Sequence, residues 1–136
     1  MKTQVTYSFV IPFMNEEVVL DTLLSRMTDL MGTLDGPCEV VFVDDGSRDG
    51  GAAIIAVAAR RDPRMKLIRL SRNFGHQIAV TAGLNTVRGK AVIIMDADLQ
   101  DPPEVVHDLI AQWKAGYEIV HAQRRAREGE TRFKKM

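Results

Sequence analysis

One cysteine, Cys38, stands among 136 residues. An internal disulfide is therefore excluded, and a reducing compartment is the expectation. The three histidines are scattered, which with a lone thiol leaves no zinc-type cluster. No apolar run approaches the ~18–20 residues needed to span a bilayer. Val5 to Met14 comes nearest to a leader segment, but Thr6, Ser8 and Pro12 interrupt it and Asn15-Glu16-Glu17 follows. With no small-residue cleavage site it reads as a first strand. An excess of one charge is missing too. Lys plus Arg is 18 and Asp plus Glu is 18, so no global field favours nucleic acid. Repeats, linkers and low-complexity tracts are absent.

What remains is ordinary globular material, 46% hydrophobic and long enough for one domain with a real core. Its most informative stretch is Met95-Asp96-Ala97-Asp98-Leu99-Gln100-Asp101-Pro102-Pro103-Glu104, directly after the apolar run Ala91 to Ile94. Side chains alternate along a strand, so Asp96 and Asp98 are expected on one side and Ala97 on the other. Two close carboxylates repel unless a cation lies between them. Hard oxygen ligands favour Mg²⁺ or Mn²⁺, ions that retain waters and pair with a substrate diphosphate. Gln100, two residues further on, would add another hard oxygen. Asp101 and Glu104 read better as helix-capping residues, with Pro102 at the first helical position.

Strand and helix patterns alternate along the chain. Strands are expected at Tyr7–Ile11, Glu39–Val43, Met65–Leu70, Ala91–Met95 and Tyr117–Ala122. Helices are expected from an Asn15 cap to Leu34, over Ala52–Arg60, over Gln77–Val87, and from Asp101 to Ala115 before Gly116. This alternation predicts an α/β fold, three layers with a mainly parallel sheet and helices on both faces. Ligands of such sheets gather at the carboxyl ends of strands. Three polar motifs fall there: Pro12-Phe13-Met14-Asn15-Glu16, Asp44-Asp45-Gly46-Ser47 and Asp96-Ala97-Asp98. In Ser71-Arg72-Asn73-Phe74-Gly75-His76, Arg72 is as well explained by solvent as by a diphosphate, and His76 better by capping the next helix. From Arg124 to Met136, six basic residues face two acidic ones, a local excess that suits an anionic surface or substrate.

Taken in order and spacing, these motifs resemble the family 2 glycosyltransferases of the GT-A fold. The SRNFGH loop and the Asp-Leu-Gln-Asp-Pro-Pro acidic motif narrow the resemblance to polyprenyl-phosphate glycosyltransferases, such as bactoprenol glucosyltransferases and dolichol-phosphate mannose synthases. The resemblance implies a nucleotide-sugar-binding core over residues 1–123. Residues 124–136 would then be a basic tail, where a truncated acceptor and membrane-proximal region begins. Pro12, Met14, Glu16, Val43, Asp44 and Asp45 would contact the nucleoside. Asp96, Ala97, Asp98 and Gln100 would hold the Mg²⁺ or Mn²⁺ ion and the sugar diphosphate, with Asp96 and Asp98 the catalytic pair. Arg124 would meet a phosphate. The implied activity is inverting transfer of a hexose from a UDP- or GDP-sugar to undecaprenyl or dolichyl phosphate at the cytoplasmic face of a membrane, with the full-length protein anchored and this fragment soluble.

Two rivals, a signalling domain and an enzyme, fit the residues less well. A receiver-like domain needs a phosphoacceptor Asp ending the third strand, where this chain has Leu70-Ser71-Arg72. A dinucleotide-binding dehydrogenase wants G-x-G-x-x-G after its first strand, and Pro12 to Glu17 contains no glycine. A nucleotidyltransferase, and a nucleotide-sugar-binding domain without catalysis, stay as alternatives.

Overall fold

Four apolar runs, rich in β-branched and aromatic residues, become four parallel strands. They are β1 (Tyr7–Phe13), β2 (Cys38–Asp44), β3 (Met65–Arg69) and β4 (Ala91–Ile94), in the order β3-β2-β1-β4. The computed structural model describes residues 4–98, 103–116, 120–124 and 131–135. Every residue of β1 and β2 is buried, as strands covered on both faces must be. The cover comes from α1 (Glu17–Thr33), α2 (Gly51–Arg61) and α3 (His76–Leu84). On one face, Val10, Val41 and Val43 form a buried cluster with Ala79 of α3. Phe13 alternates to the other face, where α1 and α2 pack on each other. A Cβ on Gly51 of α2 would meet Leu20 of α1 at 3.0 Å and Phe13 at 3.4 Å. The three α/β/α layers expected from the sequence are therefore present.

Proline decides where the β1–β4 ladder stops. Val10's carbonyl accepts the N–H of Met95 and Thr6's accepts that of Ala91, so the even-numbered residues of β1 turn their backbone groups toward β4. Phe13's carbonyl accepts from Asp45 instead, on the β2 side. Pro12 is the next even position and has no N–H to donate. Pairing between β1 and β4 ends at Val10↔Ile94. After the Met95 N–H the chain leaves the sheet, and Ala97-Asp98 forms a turn. Asp96 and Asp98 are thus placed by a turn and not by the strand alternation expected of them.

An acid is buried at the opposite end of the sheet. Glu39, 1% exposed, accepts from the Ser8 hydroxyl (2.6 Å), Lys66 Nζ (2.8 Å) and the Arg88 N–H (2.6 Å). Ser8 Oγ in turn accepts the Gly89 N–H at 2.8 Å. The network pins the α3–β4 turn to the amino ends of β1 and β2. Burial pushes the Glu39 carboxyl pKa up, but the bonds from Lys66, Ser8 and Arg88 outweigh it and hold the pKa below its ordinary value.

The chain divides into two compact units, Met1–Leu99 and Gln100–Met136. The second holds α4 (Pro103–Lys114), β5 (Val120–Arg124) and β6 (Thr131–Lys135). In α4, Val105, Val106, Leu109 and Ile110 are buried. The fifth strand belongs to a two-stranded sheet, pairing antiparallel with β6 from Val120↔Lys135 to Arg124↔Thr131. The short link between them cannot hold a parallel crossover, which needs a dozen or more residues. The stretch expected as a basic tail thus contributes a strand. Its alternation of Thr131, Arg132, Phe133 and Lys134 was the available signal. Among the described residues, no helix is long and apolar enough to cross a membrane.

Candidate functional site

From β1 the chain moves to β2 and β3 on one side and then returns as β4 on the other. That reversal opens a crevice at the carboxyl ends of β1 and β4, where open α/β sheets bind ligands. A cavity of about 360 Å³ lies there. The end of β1 contributes Pro12, Phe13, Met14 and Glu16, and Asp45 follows β2. The β3–α3 loop adds Asn73 and Gly75, the first residue of α3 adds His76, and the turn after β4 adds Asp96, Ala97 and Asp98. The structure therefore brings together Pro12, Met14, Glu16, Asp45, Asp96, Ala97 and Asp98. Val43 does not line the cavity; its side chain belongs to the core cluster beneath α3. Gln100 lies outside the described residues, and Arg124 ends β5 in the second unit.

Asp44 and Asp45 are both buried, and neither is a solvated loop acid. Asp44 Oδ1 accepts the Ser47 N–H at 2.8 Å and closes the turn after β2. Its other oxygen lies 3.6 Å from Arg69 Nε, and it does not line the cavity. Asp45 reaches across to the β3–α3 loop, accepting the N–H of Phe74 (2.8 Å) and of Gly75 (3.1 Å). Asn15 is not the cap of α1. It takes a positive φ of 55°, receives the Arg48 N–H on its side chain and donates its own N–H to Ser47 Oγ. Capping falls to Asp49, which accepts from Glu17 at the start of α1 (3.1 Å) and from Gly51 at the start of α2 (2.9 Å). One carboxylate thus satisfies donors of two helix N-termini, where the dipoles also favour it.

Gly46 makes this crossing of loops possible. Its φ is +85°, and a Cβ would press on the Asn73 backbone nitrogen and approach the Arg72 carbonyl carbon to 2.7 Å. Backbone atoms cannot swing aside as a side-chain tip can. Gly46→Ala should cost about 2–3 kcal/mol, combining the left-handed penalty with displacement of the loop. Urea unfolding measures this, and an unchanged midpoint would contradict the packing described.

Electrostatically the cavity is lopsided. Among the described residues, Glu16, Asp45, Asp96 and Asp98 line it against one imidazole, His76. An anionic ligand meets repulsion there unless a cation enters with it. Among the described residues, no three His, Cys, Asp or Glu side chains cluster to hold a metal alone. Two carboxylates on one turn instead suit a hard divalent ion that completes its shell with waters and ligand phosphate oxygens. The residues fit Mg²⁺ or Mn²⁺ on that basis. Sequence reasoning missed His76 and Asn73. His76 opens α3, and its Nε2 lies 3.5 Å from Asp96 Oδ1, while the Asn73 amide donates to Met14 Sδ. A polar loop after a strand was the signal, but only the tertiary approach of β4 makes His76 a site residue.

Comparison with known proteins places this fold in a family. A family model described as glycosyl transferase family 2 matches residues 8–136. An uncharacterized glycosyltransferase of Bacillus subtilis, YkcC, is 47% identical over 99% of this chain and 42% of its own. The undecaprenyl-phosphate 4-deoxy-4-formamido-L-arabinose transferase of Shewanella sediminis is 45% identical over 89% of this chain and 37% of its own. The chain thus spans about two fifths of the length of these relatives. Among solved structures, the mannosyltransferase PcManGT of Pyrobaculum calidifontis, in complex with GDP-Man and Mn²⁺, superposes with a TM-score of 0.71. That match has 22% identity and covers 95% of this chain and 41% of the other, a likeness of fold.

Proposed function

The chain belongs to glycosyl transferase family 2, and from that premise we propose that it forms the donor-binding core of an inverting, metal-dependent enzyme transferring a hexose from a UDP- or GDP-sugar to a polyprenyl phosphate. The supporting observation is the four-carboxylate cavity at the carboxyl ends of β1 and β4, with Asp96 and Asp98 on one turn. Asp98 is the principal ligand of Mg²⁺ or Mn²⁺ and Asp96 assists, both directed at the diphosphate. When bound, the ion offsets charge building on the departing nucleoside diphosphate, a Lewis-acid contribution of several kcal/mol. Asp45 and Glu16 orient the nucleoside through its hydroxyl or imino donors. Asp45 can do so while holding the loop, since each carboxylate oxygen has a second lone pair. Met14 and Pro12 wall the same end.

The acceptor's phosphate is already ionised near neutrality, its second pKa being ~6, so the chain need supply no strong general base. The name of the Shewanella relative supports a polyprenyl-phosphate acceptor. The basic residues between Arg124 and Lys135 fit the anionic surface in which such a lipid sits, at ~1 kcal/mol per cation. Incubation with Mn²⁺, a UDP- or GDP-hexose and polyprenyl phosphate should yield glycosyl-lipid and free nucleoside diphosphate. Release of pyrophosphate would indicate a nucleotidyltransferase, and binding without product a carrier domain.

A further inference from the structure

Asp96 sits just beyond the point where Pro12 ends the β1–β4 ladder, on a segment without sheet pairing, and its side chain is 54% exposed. A carboxylate so placed must lose rotamer freedom before it can ligate. His76 is its recorded partner, with Nε2 3.5 Å from Oδ1. The backbone behind His76 is fixed on both sides. Asp45 holds the N–H groups of Phe74 and Gly75, Gly75 takes a φ of +102°, and its carbonyl accepts the Ala79 N–H to begin α3. A buried acid at the end of β2 thereby sets the imidazole that reaches the acid beyond β4.

We propose that His76 is a positioning residue: it holds Asp96 Oδ1 and leaves the other oxygen of that carboxylate for the divalent cation. The inference rests on the metal-dependent reading above and extends it to a residue that is not itself a ligand. Partners that orient metal-ligating side chains commonly account for 10–100-fold in metal affinity. A half-exposed contact belongs at the low end of that range.

The test is Mn²⁺ binding followed by electron paramagnetic resonance, on the intact protein saturated with UDP and, separately, with GDP. His76→Ala should weaken Mn²⁺ about tenfold, a larger loss than any in metal-free nucleotide affinity. His76→Gln, whose amide can donate to the same oxygen, should recover most of the loss. Equal Mn²⁺ affinity in wild type and His76→Ala overturns the positioning role while leaving the function reading intact. Nitrogen coupling to the bound Mn²⁺ overturns it in favour of direct ligation. A drop in metal-free nucleotide affinity as large as the loss in Mn²⁺ affinity overturns it in favour of a phosphate contact. A wild-type protein that binds no Mn²⁺ with either nucleotide overturns the function reading and this inference together.

Discussion

Asp98→Ala should lower Mn²⁺-dependent affinity for UDP or GDP a hundredfold or more, a loss of about 3 kcal/mol at 1.4 kcal/mol per tenfold. Among the described residues, four carboxylates and no lysine or arginine line the cavity, so its hold on a diphosphate depends on the cation. Removing one of two anionic ligands on the turn weakens the cation and, through it, the nucleotide. Asp98 is exposed and lies beyond the last paired residue of β4, so the fold should persist. Calorimetric titration with and without Mn²⁺ separates the contributions. Metal-free affinity should be unchanged or slightly higher, because one repelling charge has gone. An unchanged metal-dependent affinity would remove Asp98 from the site. Asp96→Asn should have the same sign and a smaller size, since an amide oxygen can still ligate.

The parts of this site legible in the sequence were those set by local chemistry. β1 to β4 announced themselves as β-branched runs, and placing three polar motifs at strand ends needed only alternation of strand and helix. Residues that act over long sequence separations were read only in part. Asn15 has the composition of a helix cap, yet its side chain binds the Arg48 N–H 33 positions away, and Asp49 caps α1 in its stead. Asp45 looked like a ligand-facing acid, while its carboxylate also fastens a loop 29 and 30 residues downstream. Its burial could not be inferred without knowing that Gly46 lets that loop lie across it. Pro12 read as the closing residue of a strand. Its larger effect, ending the ladder with β4 and freeing the Asp96–Asp98 turn, follows only from the strand order. β6 went unrecognised because basic charge masked a period of two.

Glu39, read from sequence as the mere start of a strand, should prove the most stabilising acid of the first unit. Its Oε2 accepts from both Ser8 and Arg88, and its Oε1 faces the Lys66 ammonium at 2.8 Å. Gln could keep an acceptor toward Ser8 and Arg88 only by turning its NH₂ against Lys66, a donor against a donor. Glu39→Gln should therefore cost about 2–3 kcal/mol, less than the 3–5 of a fully buried pair because Lys66 is partly exposed. Since the folded pKa is depressed, the stability that Glu39 confers is fully present above the unfolded value of ~4.3 and is lost as pH falls through the folded one. Wild-type stability should drop through that acid window, and the Gln variant should drop less because it has no proton to take up. Urea unfolding at neutral pH and at successively lower pH measures both effects, and parallel curves for the two proteins would refute the assignment. Glu39 works at the amino ends of the strands and Asp98 beyond the carboxyl end of β4. Glu39→Gln should accordingly leave Mn²⁺-dependent nucleotide affinity intact wherever the protein remains folded, separating what holds this sheet together from what it presents to a ligand.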